Sequence, residues 1–131
     1  MKFAVVGSGK FGRELTKILL NNQHEVLIFS RRKEEIESIN KSSKSLSGFI
    51  FPEAKNLSAT TNPQDLTEIR YIFLTFSSKD IIDVLTKIPI TDKQIFVSCV
   101  KGFENELGLL PSEILIEKFG VSKENLIVLS G

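Results

Sequence analysis

Phe3-Ala4-Val5-Val6-Gly7-Ser8-Gly9-Lys10-Phe11-Gly12 joins a continuous apolar run to a G-x-G-x-x-G turn, and the turn opens an amphipathic run. An apolar run of this length, with no polar alternation, predicts a strand buried on both faces, the habit of parallel sheets. In the run that follows, Phe11, Leu15, Ile18 and Leu19 share one predicted helix face, with Arg13, Glu14, Lys17 and Asn21 on the other. The glycine spacing carries meaning in this order of strand, turn and helix. Gly7 permits the tight turn, and Gly9 lacks a Cβ, so a pyrophosphate can approach the backbone. Gly12 lets the helix pack closely on the strand. The helix N-terminus then offers free N–H groups and a partial positive charge to phosphates. The turn therefore predicts a dinucleotide site at Gly7, Gly9 and Gly12; the alternative is a Gly-rich turn with a purely structural role.

The same grammar repeats outward from this stretch. Val26-Leu27-Ile28-Phe29, Tyr71-Ile72-Phe73-Leu74, Ile95-Phe96-Val97 and Leu126-Ile127-Val128-Leu129 read as further strands buried on both faces, and Leu57-Ser58-Ala59-Thr60 as a short one. Between them, Ile81, Val84, Leu85 and Ile88 form a helical stripe with Asp80, Asp83 and Lys87 outward. Pro111 falls where a first helical position belongs and introduces Ile114, Leu115 and Phe119. Ile36 and Ile39 give a weaker stripe after Arg32. Strands alternating with crossover helices imply an α/β fold: a doubly wound, mainly parallel sheet of the Rossmann type, as a single domain over residues 1–131. Residues 40–56 follow neither period, and a segment of that length often marks a functional loop. Its Phe49, Ile50 and Phe51 are open between core, lid and a surface meeting another domain.

Composition limits the classes of function. The chain has 131 residues, with 17 Lys and Arg against 16 Asp and Glu and 41 % hydrophobic residues, which suits one globular domain. Near-neutral charge argues against a broad basic face and hence against nucleic acid as a partner. No apolar run approaches the roughly 20 residues of a membrane span, so no membrane insertion is expected. Cys99 is the single cysteine and His24 the single histidine. There is thus no disulfide framework, no Cys-based metal site and no His-based catalytic pair. A cytoplasmic domain is expected.

Cofactor preference is read at the end of the second predicted strand. An acidic residue there commonly binds the ribose 2′-hydroxyl of NAD. This chain has Ser30, Arg31, Arg32 and Lys33 instead, and its first carboxylates are Glu34 and Glu35. Cations at a helix N-terminus oppose the macrodipole, so helix stability does not ask for these arginines. A 2′-phosphate does, because guanidinium binds phosphate through paired, charge-assisted hydrogen bonds. NADPH is therefore the expected cofactor and NADH the alternative. One such bond, worth ~1.5–3 kcal/mol, corresponds to a preference of roughly ten- to a hundredfold. Ser30 is read as the helix N-cap and a further phosphate contact; the competing reading is a pair of solvated arginines.

Ser98-Cys99-Val100-Lys101-Gly102-Phe103-Glu104 ends the fifth predicted strand and brings Lys101 to the C-terminal edge of the predicted sheet. A lysine there can hold a phosphate or carbonyl oxygen as a point charge, or simply be a surface lysine. With this turn the chain resembles the bacterial-type NAD(P)-dependent glycerol-3-phosphate dehydrogenases over essentially its whole length, as their N-terminal cofactor domain. The resemblance rests on Gly7-x-Gly9-x-x-Gly12, Asn22-x-His24-Glu25-Val26, Lys101-Gly102-Phe103-Glu104 and the closing Leu129-Ser130-Gly131. It implies reduction of dihydroxyacetone phosphate to sn-glycerol 3-phosphate, the precursor of phospholipids, by NADPH or NADH. It also implies cofactor contacts from Lys10, Phe11, Arg31 and Lys101, and substrate contacts from Lys101 and Gly131. Arg32 is added from charge and position. His24 is expected to be structural. The chain departs from the family in having Phe11 for Trp or Tyr, and Thr75-Phe76-Ser77 for Val-Pro-Ser.

The last apolar run leads straight into Ser130-Gly131, at the edge where an α/β sheet binds its ligand. A domain of a longer protein is therefore expected, with the family's helical substrate domain and its general acid-base lysine outside this chain. Such a fragment binds cofactor without turnover, and a homodimer of the full-length protein is compatible with the family. Two other readings remain open. One is the cofactor domain of a ketopantoate reductase or β-hydroxyacid dehydrogenase, against which Lys101-Gly102-Phe103-Glu104 argues. The other is a nucleotide-sensing Rossmann module, for which the chain end would be natural.

Overall fold

The computed structural model describes residues 1–104 and 106–129. Six strands are joined by helices: β1 (Lys2–Val6), α1 (Lys10–Asn21), β2 (Glu25–Phe29), α2 (Lys33–Ser42), β3 (Leu57–Thr60), β4 (Tyr71–Leu74), α3 (Ile81–Lys87), β5 (Ile95–Ser98), α4 (Pro111–Glu117) and β6 (Leu126–Val128). All neighbouring strands pair in parallel, in the order β3-β2-β1-β4-β5-β6. This is the doubly wound order, and its direction reverses between β1 and β4. The fold class read from the apolar runs is the one observed.

Alternation along each strand divides the interior into two cores. Ala4 and Val6 face one side with Leu27, Phe29, Ile72 and Leu74, covered by Ile81, Leu85, Ile114 and Leu115 of α3 and α4. Val5 faces the other with Val26 and Ile28, covered by Leu20 of α1, Ile36 and Ile39 of α2, and Phe51. Both faces of the central strands are thereby dry, which is why their sequences run apolar without a break.

Three expectations need correction. The buried line of α1 is Gly12, Thr16 and Leu20, whereas Phe11 and Ile18 are 52 % and 57 % exposed. Small residues let the helix approach the sheet, so the packed line follows Gly12 and Thr16 rather than the largest apolar side chains. The Thr16 hydroxyl, buried there, donates to the Gly12 carbonyl at 2.8 Å. Strand β6 is not buried on both faces, because it ends the sheet and leaves Ile127, Val128 and Leu129 about half exposed. Ser30 is not the N-cap of α2; Arg32 holds that position, and the Ser30 hydroxyl accepts the Arg32 N–H at 3.2 Å instead.

Residues 43–53 form an ordered excursion rather than an open loop. Lys44 bridges Ile50, and the buried Glu35 carboxylate accepts the Leu46 N–H at 2.7 Å. Phe51 belongs to the core and packs edge-on against Phe49, while Ile50 points to solvent. Opposite the other sheet edge, the Asn40 amide closes both backbone groups of Ala59, donating to its carbonyl at 2.9 Å and accepting its N–H at 3.0 Å. A side chain thus takes part of the place of a missing neighbour for β3.

Close packing at the glycine turn fixes α1 on the sheet. A Cβ at Gly12 would lie 2.7 Å from both the Gly7 carbonyl oxygen and Thr75 Oγ1. Gly12→Ala is therefore expected to destabilise the fold by about 1–3 kcal/mol, read as a lower denaturant midpoint with an unchanged slope. An unchanged midpoint would mean that the helix shifts without cost. Cys99, at the end of β5, is buried, and desolvation pushes its thiol above the ordinary range. Alkylation by iodoacetamide near neutral pH should accordingly run at least about tenfold slower than for a free cysteine, and at the free rate only after unfolding.

Candidate functional site: a nucleotide cleft at the strand-order reversal

Where β1 and β4 diverge, their C-terminal ends leave a cleft of about 270 Å³. It is lined by Gly7, Ser8 and Gly9 after β1, by Ser30, Arg31 and Arg32 after β2, and by Thr75, Phe76 and Ser77 after β4. Backbone bonds close its floor. The Gly7 N–H donates to Phe29 O at 2.9 Å, and the Thr75 N–H to Val6 O at 3.0 Å. The Thr75 hydroxyl donates to the same carbonyl at 2.9 Å.

The three glycines have three distinct surroundings. Gly7 has φ +118°, a conformation that side chains rarely adopt, and a Cβ there would press on Thr75 Oγ1 at 2.7 Å. Gly12 is the packing glycine described above. Gly9 has nothing within 4 Å of where a Cβ would stand, so its missing side chain answers no demand of the fold. It is the N-cap of α1, its side-chain-free end is uncapped, and the first turn carries no acidic residue. Unsatisfied helix N–H groups beside open space and free of local anions suit a phosphate. The cradle thus fits a dinucleotide pyrophosphate.

Not all residues singled out in the sequence meet here. Gly7, Gly9, Ser30, Arg31 and Arg32 line the cleft together. Lys10 and Phe11 are exposed at the start of α1 and do not line it. Lys101 is exposed beyond β5, where it lines a neighbouring cavity of about 320 Å³ with Ser98, Gly102, Pro111 and Leu129. Both cavities open at the C-terminal edge of the sheet. Gly131 lies outside the described residues. His24 meets the Phe3 ring edge-on at 5.0 Å, a packing contact at the foot of β1. A wider groove of about 660 Å³ runs between α3 and α4, lined by Lys79, Asp83, Thr86, Glu106 and Lys118; it holds none of the sequence-derived site residues.

The cleft also uses residues that the sequence did not single out as ligand contacts. Thr75, Phe76 and Ser77 follow an apolar run, a position that by itself marks the ligand edge of a parallel sheet. Arg13 donates to the Ser8 carbonyl at 3.3 Å and stands 5.7 Å over the Phe49 ring, tying the glycine turn to the 43–53 excursion. Arg31 is not a free cation. Its guanidinium pairs with Asp83 on α3 and lies 4.0 Å from Asp80.

Among the described residues no helix is long and apolar enough to cross a membrane. Solved structures share the fold: a glycerol-3-phosphate dehydrogenase from Coxiella burnetii (TM-score 0.68, 16 % identity, 99 % of this chain and 53 % of that one) and a ketopantoate reductase from Ralstonia eutropha (TM-score 0.69, 18 % identity, 98 % and 40 %). At such identities the likeness shows the architecture alone. A protein named glycerol-3-phosphate dehydrogenase [NAD(P)+] from Neorickettsia sennetsu is 35 % identical over 136 residues, covering 100 % of this chain and 40 % of its own length. One of the same name from Bacillus licheniformis is 32 % identical, covering 99 % and 39 %. The chain spans about two fifths of the length of these relatives. Residues 2–131 match the family described as NAD-dependent glycerol-3-phosphate dehydrogenase N-terminus, and the chain belongs to that family.

Proposed function

We propose that this chain is the cofactor-binding domain of a cytoplasmic enzyme that reduces dihydroxyacetone phosphate to sn-glycerol 3-phosphate, for glycerophospholipid synthesis, with NADPH preferred and NADH as the second cofactor. The observation that carries this reading is one cleft in which the open backbone of Gly9, at the uncapped N-terminus of α1, adjoins Arg31 and Arg32. When bound, the dinucleotide supplies the hydride for the ketone carbon. The chain's own residues bind and orient. The amides at Gly9 and the first turn of α1 hold the pyrophosphate, with Lys10 and Phe11 flanking it. Ser30, Arg31 and Arg32 hold the 2′-phosphate of the adenosine ribose. Thr75 keeps Gly7 and Gly12 in register beneath the cofactor.

Lys101, at the neighbouring cavity, holds the substrate phosphate or carbonyl oxygen as a hydrogen-bonding cation, and Gly131 borders the substrate. The general acid-base lysine and most substrate contacts belong to a helical domain outside this chain. The chain alone therefore binds cofactor without turnover, because hydride transfer also needs the carbonyl carbon held in attack geometry.

Titration with NADPH and NADH, followed by ligand fluorescence, tests the reading in two ways. NADPH should bind about tenfold or more tightly than NADH, and Arg31→Ala or Arg32→Ala should bring it towards the NADH level. Equal binding unaffected by either substitution would remove the arginines from the 2′-phosphate; no binding of either nucleotide would overturn the cofactor reading. Gly9→Ala separates ligand contact from fold. It should weaken both nucleotides by about tenfold, through a methyl group in the path of the pyrophosphate. Its cost in stability should stay within about 1 kcal/mol, the difference between Gly and Ala at an N-cap.

A further inference from the structure

Arg31 stands at the lip of the cleft and reaches across it to α3. Its Nη1 donates to Asp83 Oδ2, and its Nη2 lies 4.0 Å from Asp80 Oδ1. The contact joins the end of β2 to the first turn of α3 across 52 residues of sequence. Packing of α3 does not need Asp83, since Ile81, Val84 and Leu85 form the buried face and the Asp83 side chain is 50 % exposed. Nor does Asp83 need Arg31 as its partner, because Lys87 reaches its other oxygen at 3.1 Å one turn along the helix. The carboxylate nevertheless engages Nη1, one of the donors available to a phosphate for a paired contact. A planar guanidinium offers its N–H groups in pairs, and a pair with one member already given to a carboxylate cannot bind a second anion in paired fashion until that bond opens.

We propose that Asp83 is a specificity-determining residue that acts against the 2′-phosphate. It is the resident counter-anion of Arg31, so a phosphorylated cofactor binds there by displacing it, while a 2′-hydroxyl has no such competitor. This rests on the reading of Arg31 as a 2′-phosphate contact. Asp80 adds to the effect, because its carboxylate lies 4.0 Å from the same guanidinium, inside a screening length of ~8 Å. Lys87 works in the opposite sense by drawing Asp83 towards itself. The NADPH preference given by Arg31 is thus the remainder after Asp83 has been displaced, and NADH stays a usable alternative. The acidic residue missing from the end of β2 is matched in charge by one contributed from α3, which reaches the site only through the arginine.

The test is calorimetric titration of the protein with NADPH and NADH in low salt and at physiological salt, with folding of each variant checked by circular dichroism. Asp83→Asn, which keeps the shape and removes the charge, should tighten NADPH about two- to fivefold, as for release of one exposed ion pair. NADH should not change. The gain should shrink at the higher salt and vanish in the Asp83→Asn, Arg31→Ala double variant. Lys87→Met leaves both carboxylates in place and should weaken NADPH slightly without moving NADH. If Asp83→Asn leaves NADPH unchanged while Arg31→Ala weakens it, the proposal falls and the reading of Arg31 survives. If Arg31→Ala leaves NADPH unchanged, both fall. Equal loss of both nucleotides in Asp83→Asn would also overturn it, since a competitor for the phosphate cannot affect NADH.

Discussion

The rest of the structure depends on the close approach of α1 to the sheet at Gly12. With no Cβ in the way, the helix comes to rest against the Gly7 carbonyl and the Thr75 hydroxyl, atoms from the ends of two adjacent strands. The same contact sets two things at once. It locks β1 to β4 at the point where the strand order reverses, and it aims the uncapped end of α1 at the space between them. A cleft at the switch point is thereby a consequence of packing, present before any ligand arrives. Gly9 is different in kind. The fold would accept a methyl group there, so its reason lies in what the backbone must face.

Electrostatics within the cleft is a balance rather than a basic patch. The chain's net charge of +1 leaves no long-range field to favour a phosphate, and local pairing decides. Arg31 and Arg32 stand at the start of α2, where the helix dipole is unfavourable to cations. Arg31 is relieved by α3 across the cleft, and Glu34 and Glu35 occupy the first turn of α2 itself. Glu35 is no part of that balance, however, because it is buried and holds the Leu46 amide. Carboxylates close together in sequence therefore serve different ends, one solvated at a helix terminus and one fastening the excursion after the helix.

Strand identities were legible because buried parallel strands leave an unbroken apolar signature; five of the six sit where such runs occur, within a residue or two at their ends, and β3 is the short Leu57–Thr60 segment. Pro111 opens α4 for the reason its rigid φ predicts. The helix α1 was placed correctly, but its buried face was not. Periodicity weighs Phe11 and Ile18 as apolar and Gly12 and Thr16 as neutral, whereas close approach to a sheet rewards small size. Strand β6 misled for a related reason: an edge strand can carry the same apolar residues as a central one, and only the sheet order says which is which. The excursion at 43–53 had no period to read, since it is held by a short backbone bridge, a buried carboxylate and an aromatic pair rather than by a repeating face.

By itself the sequence determined the parallel α/β class, the position of the glycine turn and the cationic end of β2. These are local properties, set by side-chain size, charge and spacing within a few residues. The tertiary structure alone decided which of those residues share a cleft, that Lys101 belongs to a neighbouring cavity, and that Arg31 arrives already paired with Asp83. The physical reason is distance along the chain. A contact across 52 residues leaves no pattern in either segment, because each carries a charge that solvent would have satisfied equally well.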